Sequence, residues 1–171
     1  MLRSELIPQT TADLGNGRLI YHFSLQARKQ NAPKGDIEHQ IAFFEVFGIR
    51  QKYRNRAEYL QSHFTELKYT GNTLHWMADG KSHWLTKLQP EKWYNFAYDI
   101  DFDQQTVGLW ASNGVKPLKK VVENVSASAS SNSQDWHVGE LKTQKTGSKE
   151  DWYCSGVYIE RAPITKKLRD S

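Results

Sequence analysis

Three glutamates stand in settings that could make them chemically active. Glu5 lies in Arg3-Ser4-Glu5-Leu6-Ile7, Glu45 closes Phe43-Phe44-Glu45, and Glu66 lies in Phe64-Thr65-Glu66-Leu67. Each sits within or beside an apolar, strand-like run. Apolar surroundings can raise the pKa of a carboxyl group, as a general acid requires. Two carboxylates across a sugar, one an acid and the other a base or nucleophile, suffice to cleave a glycosidic bond. Their separation decides between inversion and retention. On pattern alone, an outward-facing Glu on a half-buried sheet is the commoner explanation for each.

Other chemistries have less support. The chain has no G-x-S-x-G, no Walker motif, no H-E-x-x-H and no G-x-G-x-x-G. Its six histidines, His22, His39, His63, His75, His83 and His137, are scattered, none at metal-ligand spacing. Cys154 is the only cysteine, which rules out an intrachain disulfide and a cysteine metal cluster. No metal or organic cofactor is expected. The net charge of +4 is mostly local: residues 46–61 carry Arg50, Lys52, Arg54 and Arg56 against Glu58, leaving +1 for the other 155 residues. A short basic run of this kind is usually a solvated face, so nucleic-acid binding is not expected. No apolar run is long enough to span a membrane, and Met1-Leu2-Arg3-Ser4-Glu5 does not open a signal peptide. One acceptor sequon, Asn124-Val125-Ser126, is faint support for secretion.

The elements that must position these glutamates read as strands. Leu19 to Leu25 alternates, with Leu19, Tyr21, Phe23 and Leu25 on one face. Glu38 to Glu45 and Ser62 to Tyr69 are further strands, and Leu74–Ala78 with Ser82–Leu88 predicts a hairpin around Asp79-Gly80. In Trp93 to Phe102 the residues Tyr94, Phe96, Tyr98, Ile100 and Phe102 share a face, and Thr106 to Ser112 returns with Val107, Leu109 and Ala111 facing one way. Ser126 to Ser133 predicts a loop, Trp136–Leu141 and Trp152–Glu160 the last strands, and the tail from Arg161 is expected to fray. Arg50 to Gln61 is the one helix candidate. Aromatics make up 12% of the chain, which fits β-sheets and also fits flat rings covering pyranose faces. The expected fold class is all-β, an antiparallel β-sandwich of jelly-roll type.

Several stretches carry a family resemblance in order along nearly the whole chain. They are Leu2-Arg3-Ser4-Glu5-Leu6-Ile7-Pro8-Gln9-Thr10, His39-Gln40-Ile41-Ala42-Phe43-Phe44-Glu45, Ser62-His63-Phe64-Thr65-Glu66-Leu67-Lys68-Tyr69, Trp93 to Phe102, Ser126-Ala127-Ser128, Asp135-Trp136-His137-Val138-Gly139 and Glu150 to Glu160. Together they resemble the catalytic domain of the fungal β-glucanases of glycoside hydrolase family 131. The resemblance implies a secreted, extracellular jelly-roll protein that hydrolyses β-glucans with β-1,3, β-1,6 and β-1,4 linkages, acting as a monomer. It implies two catalytic glutamates, carried over to Glu5 and Glu45, and a substrate cleft lined by Arg3, Gln9, His63, Glu66, Lys68 and His137.

Two departures stand out. The family domain begins well before its R-S-E-L motif, which here starts at residue 3, so the expectation is a jelly roll incomplete at its N-terminus, with exposed edges. The F-F-E and S-H-F-T-E motifs look contiguous in the family, whereas Val46 to Gln61 intervenes here. A segment opening in Val and closing in Gln is what an in-frame retained intron beginning GT and ending AG would encode. The chain is thus expected to be one domain over residues 1–162, interrupted by an atypical insertion at 46–61 and followed by a basic tail at 163–171. A non-catalytic glycan-binding β-sandwich is the alternative, needing the aromatics but not two opposed carboxylates.

Overall fold

Alternation of apolar and polar residues gives each strand one greasy face, and two sheets bury those faces against one another. The structure is a computed structural model that describes residues 2–45, 63–144 and 149–166. Eleven strands occur among the described residues: β1 (Leu2–Leu6), β2 (Arg18–Ala27), β3 (His39–Phe44), β4 (Thr65–Thr70), β5 (Thr73–Ala78), β6 (Lys81–Lys87), β7 (Tyr94–Asp101), β8 (Thr106–Asn113), β9 (Lys119–Ser126), β10 (Trp136–Lys142) and β11 (Trp152–Arg161). They form a six-stranded sheet in the order β1-β10-β3-β4-β5-β6 and a five-stranded sheet in the order β11-β2-β7-β8-β9. Every pairing is antiparallel. No helix occurs among the described residues. The helix candidate at Arg50–Gln61, the 46–61 insertion and the tail from residue 167 lie outside them.

The expected faces are the observed ones. Leu19, Tyr21, Phe23 and Leu25 of β2, Tyr94, Phe96, Tyr98 and Ile100 of β7, and Val107, Leu109 and Ala111 of β8 all enter one buried core. The six-stranded sheet answers with Ala42 and Phe44, Leu67 and Tyr69, Leu74, Trp76 and Ala78, and Trp136 and Val138. Tyr21 packs edge-on against both Phe44 (4.9 Å) and Trp136 (5.0 Å), locking β2 to β3 and β10. The buried Tyr98 hydroxyl donates across the sandwich to the Ala42 carbonyl at 2.9 Å. Asp79 and Gly80 adopt positive φ at the β5–β6 turn, as the Asp-Gly signal requires.

Two features differ from expectation. β9 is a strand although Lys119-Lys120-Val121-Val122-Glu123-Asn124 shows no clean alternation. The chain beyond Arg161 does not fray at once: Ala162 N–H donates to Arg18 O, Leu118 N–H donates to Lys166 O, and Ile164 packs against Ile20, Ala97 and Leu118. The sequon is also committed internally. Asn124 Nδ2 donates to Asp99 O at 3.0 Å and Thr106 Oγ1 at 3.3 Å, and its Oδ1 accepts from Lys120 at 2.6 Å, so a glycan on Asn124 would break this network.

Candidate active site

Side chains that alternate away from the core on β1, β10, β3 and β4 meet on the outer face of the six-stranded sheet. Arg3 and Glu5 project from β1, His137 from β10, Phe43 from β3, and Glu66 and Lys68 from β4. Glu45 follows the end of β3, where its N–H donates to Asp135 O at 2.8 Å. β10 lies between β1 and β3, with His137 opposite Phe43 and Gly139 opposite Glu5.

This order brings the two expected glutamates together through two intermediaries. Arg3 Nη2 donates to Glu45 Oε1 at 2.7 Å, and Arg3 Nη1 lies 3.7 Å from Glu5 Oε2. His137 Nδ1 lies 2.7 Å from Glu5 Oε2, and its Nε2 lies 3.4 Å from Glu45 Oε2. Phe43 stacks on the His137 ring with centroids 4.9 Å apart and planes 7° from parallel. Glu5 Oε1 is buried with no hydrogen-bond partner.

A second carboxylate–imidazole pair lies on the far side of Phe43. His63 packs on Phe43 at 4.5 Å, its Nδ1 lies 2.9 Å from Glu66 Oε2, and Lys68 Nζ reaches Glu66 Oε1 at 3.3 Å. His63 Nε2 is buried with no hydrogen-bond partner. The outer face therefore gathers Arg3, Glu5, Glu45, His137, His63, Glu66 and Lys68. Gln9 is not part of the cluster: it is exposed in the connection after β1, where its amide donates to the nearby Ile7 carbonyl at 3.3 Å.

Motif reading missed a buried polar cluster at one end of the sandwich. His39 Nε2 lies 2.7 Å from Glu150 Oε2 and 3.3 Å from Glu140 Oε1, and Lys142 Nζ lies 3.1 Å from Glu150 and 3.8 Å from Glu140. His39, Glu140 and Glu150 bring potential ligand atoms within 4.8 Å of one another, as a metal site would. The Lys142 ammonium supplies a cation of the protein's own among them. Burial, then the adjoining Glu150 carboxyl, pushes Glu140 up to about 7 against the pull of Lys142. Burial acts upward on Glu150 as well, but hydrogen bonds with Glu140 and Lys142 and the proximity of His39 bring it below the usual carboxylate range.

The linkage has a definite sign. Glu140 holds a proton in the folded state from its ordinary value of 4.5 up to about 7, where the unfolded chain has lost it. Its contribution to stability is complete below pH 4.5 and is lost as pH rises to about 7. Lowered by burial, His22 acts in the opposite sense in part of that window, so the readout is the difference from wild type: with rising pH the Tm of Glu140→Gln should change more favourably than that of wild type by several degrees, since about 1 kcal/mol moves Tm roughly 2–4 °C in a chain of this size. An unchanged slope in the variant would exclude Glu140 as the titrating group.

A sequence model of a family described as "Glycoside hydrolase 131 catalytic N-terminal domain" matches residues 1–165. The crystal structure of the catalytic domain of the glycoside hydrolase family 131 protein from Coprinopsis cinerea superposes with a TM-score of 0.86 at 47% identity, over 98% of this chain and 66% of that one. A GH131 β-glucanase catalytic domain from Podospora anserina gives 0.82 at 42% identity, over 96% of this chain and 66% of that one. The chain thus spans just under two thirds of the length of either domain. A family 7 alginate lyase, A1-II′, shares the fold at a TM-score of 0.57 and 12% identity. No curated protein matches the chain.

Proposed function

The chain belongs to glycoside hydrolase family 131, and from that premise we propose that it hydrolyses β-glucosidic bonds in β-glucans, with Glu5 as general acid and Glu45 as general base. The observation that carries this reading is the bridging of both carboxylates by one guanidinium and one imidazole. The roles follow from how their surroundings differ. Glu45 accepts the short Arg3 contact, the partner suited to a carboxylate that acts as base. The Glu5 side chain is more enclosed, 4% exposed against 12%, the setting suited to the carboxyl that serves as acid. His63, Glu66 and Lys68 would contact neighbouring sugar units. The substrates are β-1,3-, β-1,6- and β-1,4-linked glucans of cell walls, met outside the cell by a monomer.

The placing of the two carboxylates at opposite nitrogens of His137 favours single displacement. The two nitrogens of an imidazole point in divergent directions, so oxygens met at Nδ1 and Nε2 are held apart by the ring. That favours the wide carboxylate separation of inverting enzymes, about 6.5–9.5 Å, over the roughly 5–5.5 Å of retaining ones. Proton NMR of the first sugar released should therefore show the α-anomer, and a first-formed β-anomer would assign retention instead. The function itself is tested by measuring sugar release beside binding on each glucan. Binding with no release on any linkage would replace hydrolysis by a glycan-binding role.

A further inference from the structure

We infer that His137 is a positioning residue for the general acid, holding the Glu5 carboxyl rather than contacting sugar; this rests on the reading of Glu5 as acid. The family resemblance places His137 among the residues lining the cleft. The geometry commits its polar atoms elsewhere. Nδ1 lies 2.7 Å from Glu5 Oε2 and Nε2 lies 3.4 Å from Glu45 Oε2, so both nitrogens already face carboxylates. The Phe43 ring, itself fully buried, stacks on the imidazole within 7° of parallel and sets its plane.

The two contacts are unequal. The one to Glu5 has the length of a short hydrogen bond, whereas the one to Glu45 is long. Glu45 also has Arg3 at 2.7 Å, while Arg3 stands 3.7 Å from Glu5. Removing the imidazole therefore takes from Glu5 its close polar partner and leaves Glu45 its own. With Oε2 held by Nδ1, the Glu5 carboxyl cannot rotate freely. A small rotation of that carboxyl would cost rate without weakening substrate binding, because displacements of about an ångström cost on the order of 100-fold.

The test compares His137→Phe, His137→Asn and His137→Gln on β-glucan and on a dinitrophenyl β-glucoside, whose leaving group needs no protonation. Phe keeps the stack on Phe43 and removes both nitrogens. Asn places an amide near the Nδ1 position, and Gln reaches toward the Nε2 position. His137→Phe should lower kcat on glucan by about 100-fold or more, with KM within about threefold and less than about fivefold loss on the dinitrophenyl substrate. His137→Asn should recover at least about tenfold of the lost kcat and His137→Gln should not. A raised KM with kcat retained would make His137 a sugar contact and overturn the inference. Equal losses on both substrates would overturn it too, since a base or fold defect does not depend on the leaving group. If His137→Phe does not fold, equal glucan kcat in the Asn and Gln variants overturns it. Glu5→Gln, assayed alongside, should spare the dinitrophenyl substrate in the same way. If it does not, the assignment of Glu5 as acid fails. If it does and His137→Phe does not, only the role of His137 falls.

Discussion

Replacing Glu5 by Gln should lower kcat for β-glucan hydrolysis by about 10²–10⁴-fold, the usual worth of a positioned acid or base. Glutamine fills the same volume and can still present an oxygen to His137 Nδ1, so the stack on Phe43 and the pairing of β1 with β10 have no reason to change. What disappears is the transferable proton. Glu45→Gln should cost a similar factor for the complementary reason: a neutral amide cannot take a proton from water, although it can still accept from Arg3. Because the two groups serve one step, the double variant should lose little more than the worse single variant. Circular dichroism and melting curves close to wild type would show that the loss is chemical. Wild-type turnover in both single variants would remove the glutamate pair from the mechanism and leave a protein that only binds glycan.

The strands were legible because their physics is local. Tyr94 to Phe102 alternates in the sequence and alternates in the core, and the Asp79-Gly80 turn follows from the positive φ that this dipeptide tolerates. β9 was not legible, because Val121 and Val122 stand side by side among charges. It is a strand through its pairing with β8, whose register shifts twice to accommodate it. The basic C-terminal stretch is expected to fray, yet Ile164 finds an apolar patch and Lys166 lies 5.4 Å over the Trp110 ring, contacts that only the folded sheet creates.

The site was half legible. The glutamates could be singled out by their apolar surroundings, but nothing local paired them. Arg3 and Glu45 lie 42 residues apart in sequence and Glu5 and His137 lie 132 apart. They meet because the late strand β10 inserts between β1 and β3. That insertion sets His137 between the two carboxylates. It also explains why Gln9, adjacent in sequence to the β1 motif, has no place in the cluster, since the strand has ended before it. The buried group of His39, Glu140, Lys142 and Glu150 had no signature either. Each looks like an ordinary surface residue, and their burial follows from the register that sets Lys142 opposite His39.

Gly139→Ala should abolish most activity at modest cost in stability. A methyl group at this position would lie 2.4 Å from Ser4 O and 2.6 Å from Glu5 Cα. Both are backbone atoms, so no side chain can swing aside, and β1 itself must move. Among the described residues β10 is the only strand paired with β1, so nothing on its other side resists the shift. Glu5 and Arg3 both ride on that strand, so the shift separates the acid from His137 and the guanidinium from Glu45 together. A displacement of about an ångström is enough to cost on the order of 100-fold in kcat. Overpacking of this kind typically costs about 1–3 kcal/mol, or roughly 2–12 °C in Tm for a chain of this size, and the positive φ of 154° at Gly139 adds backbone strain to it. Gly17→Ala separates the two effects. It meets nothing within 4 Å but carries a positive φ of 66°, so it should lose stability through backbone strain alone and keep its kcat. If Gly139→Ala melts like Gly17→Ala but turns over glucan at the wild-type rate, then the close seating of β1 on β10 is not what aligns Glu5 with Glu45.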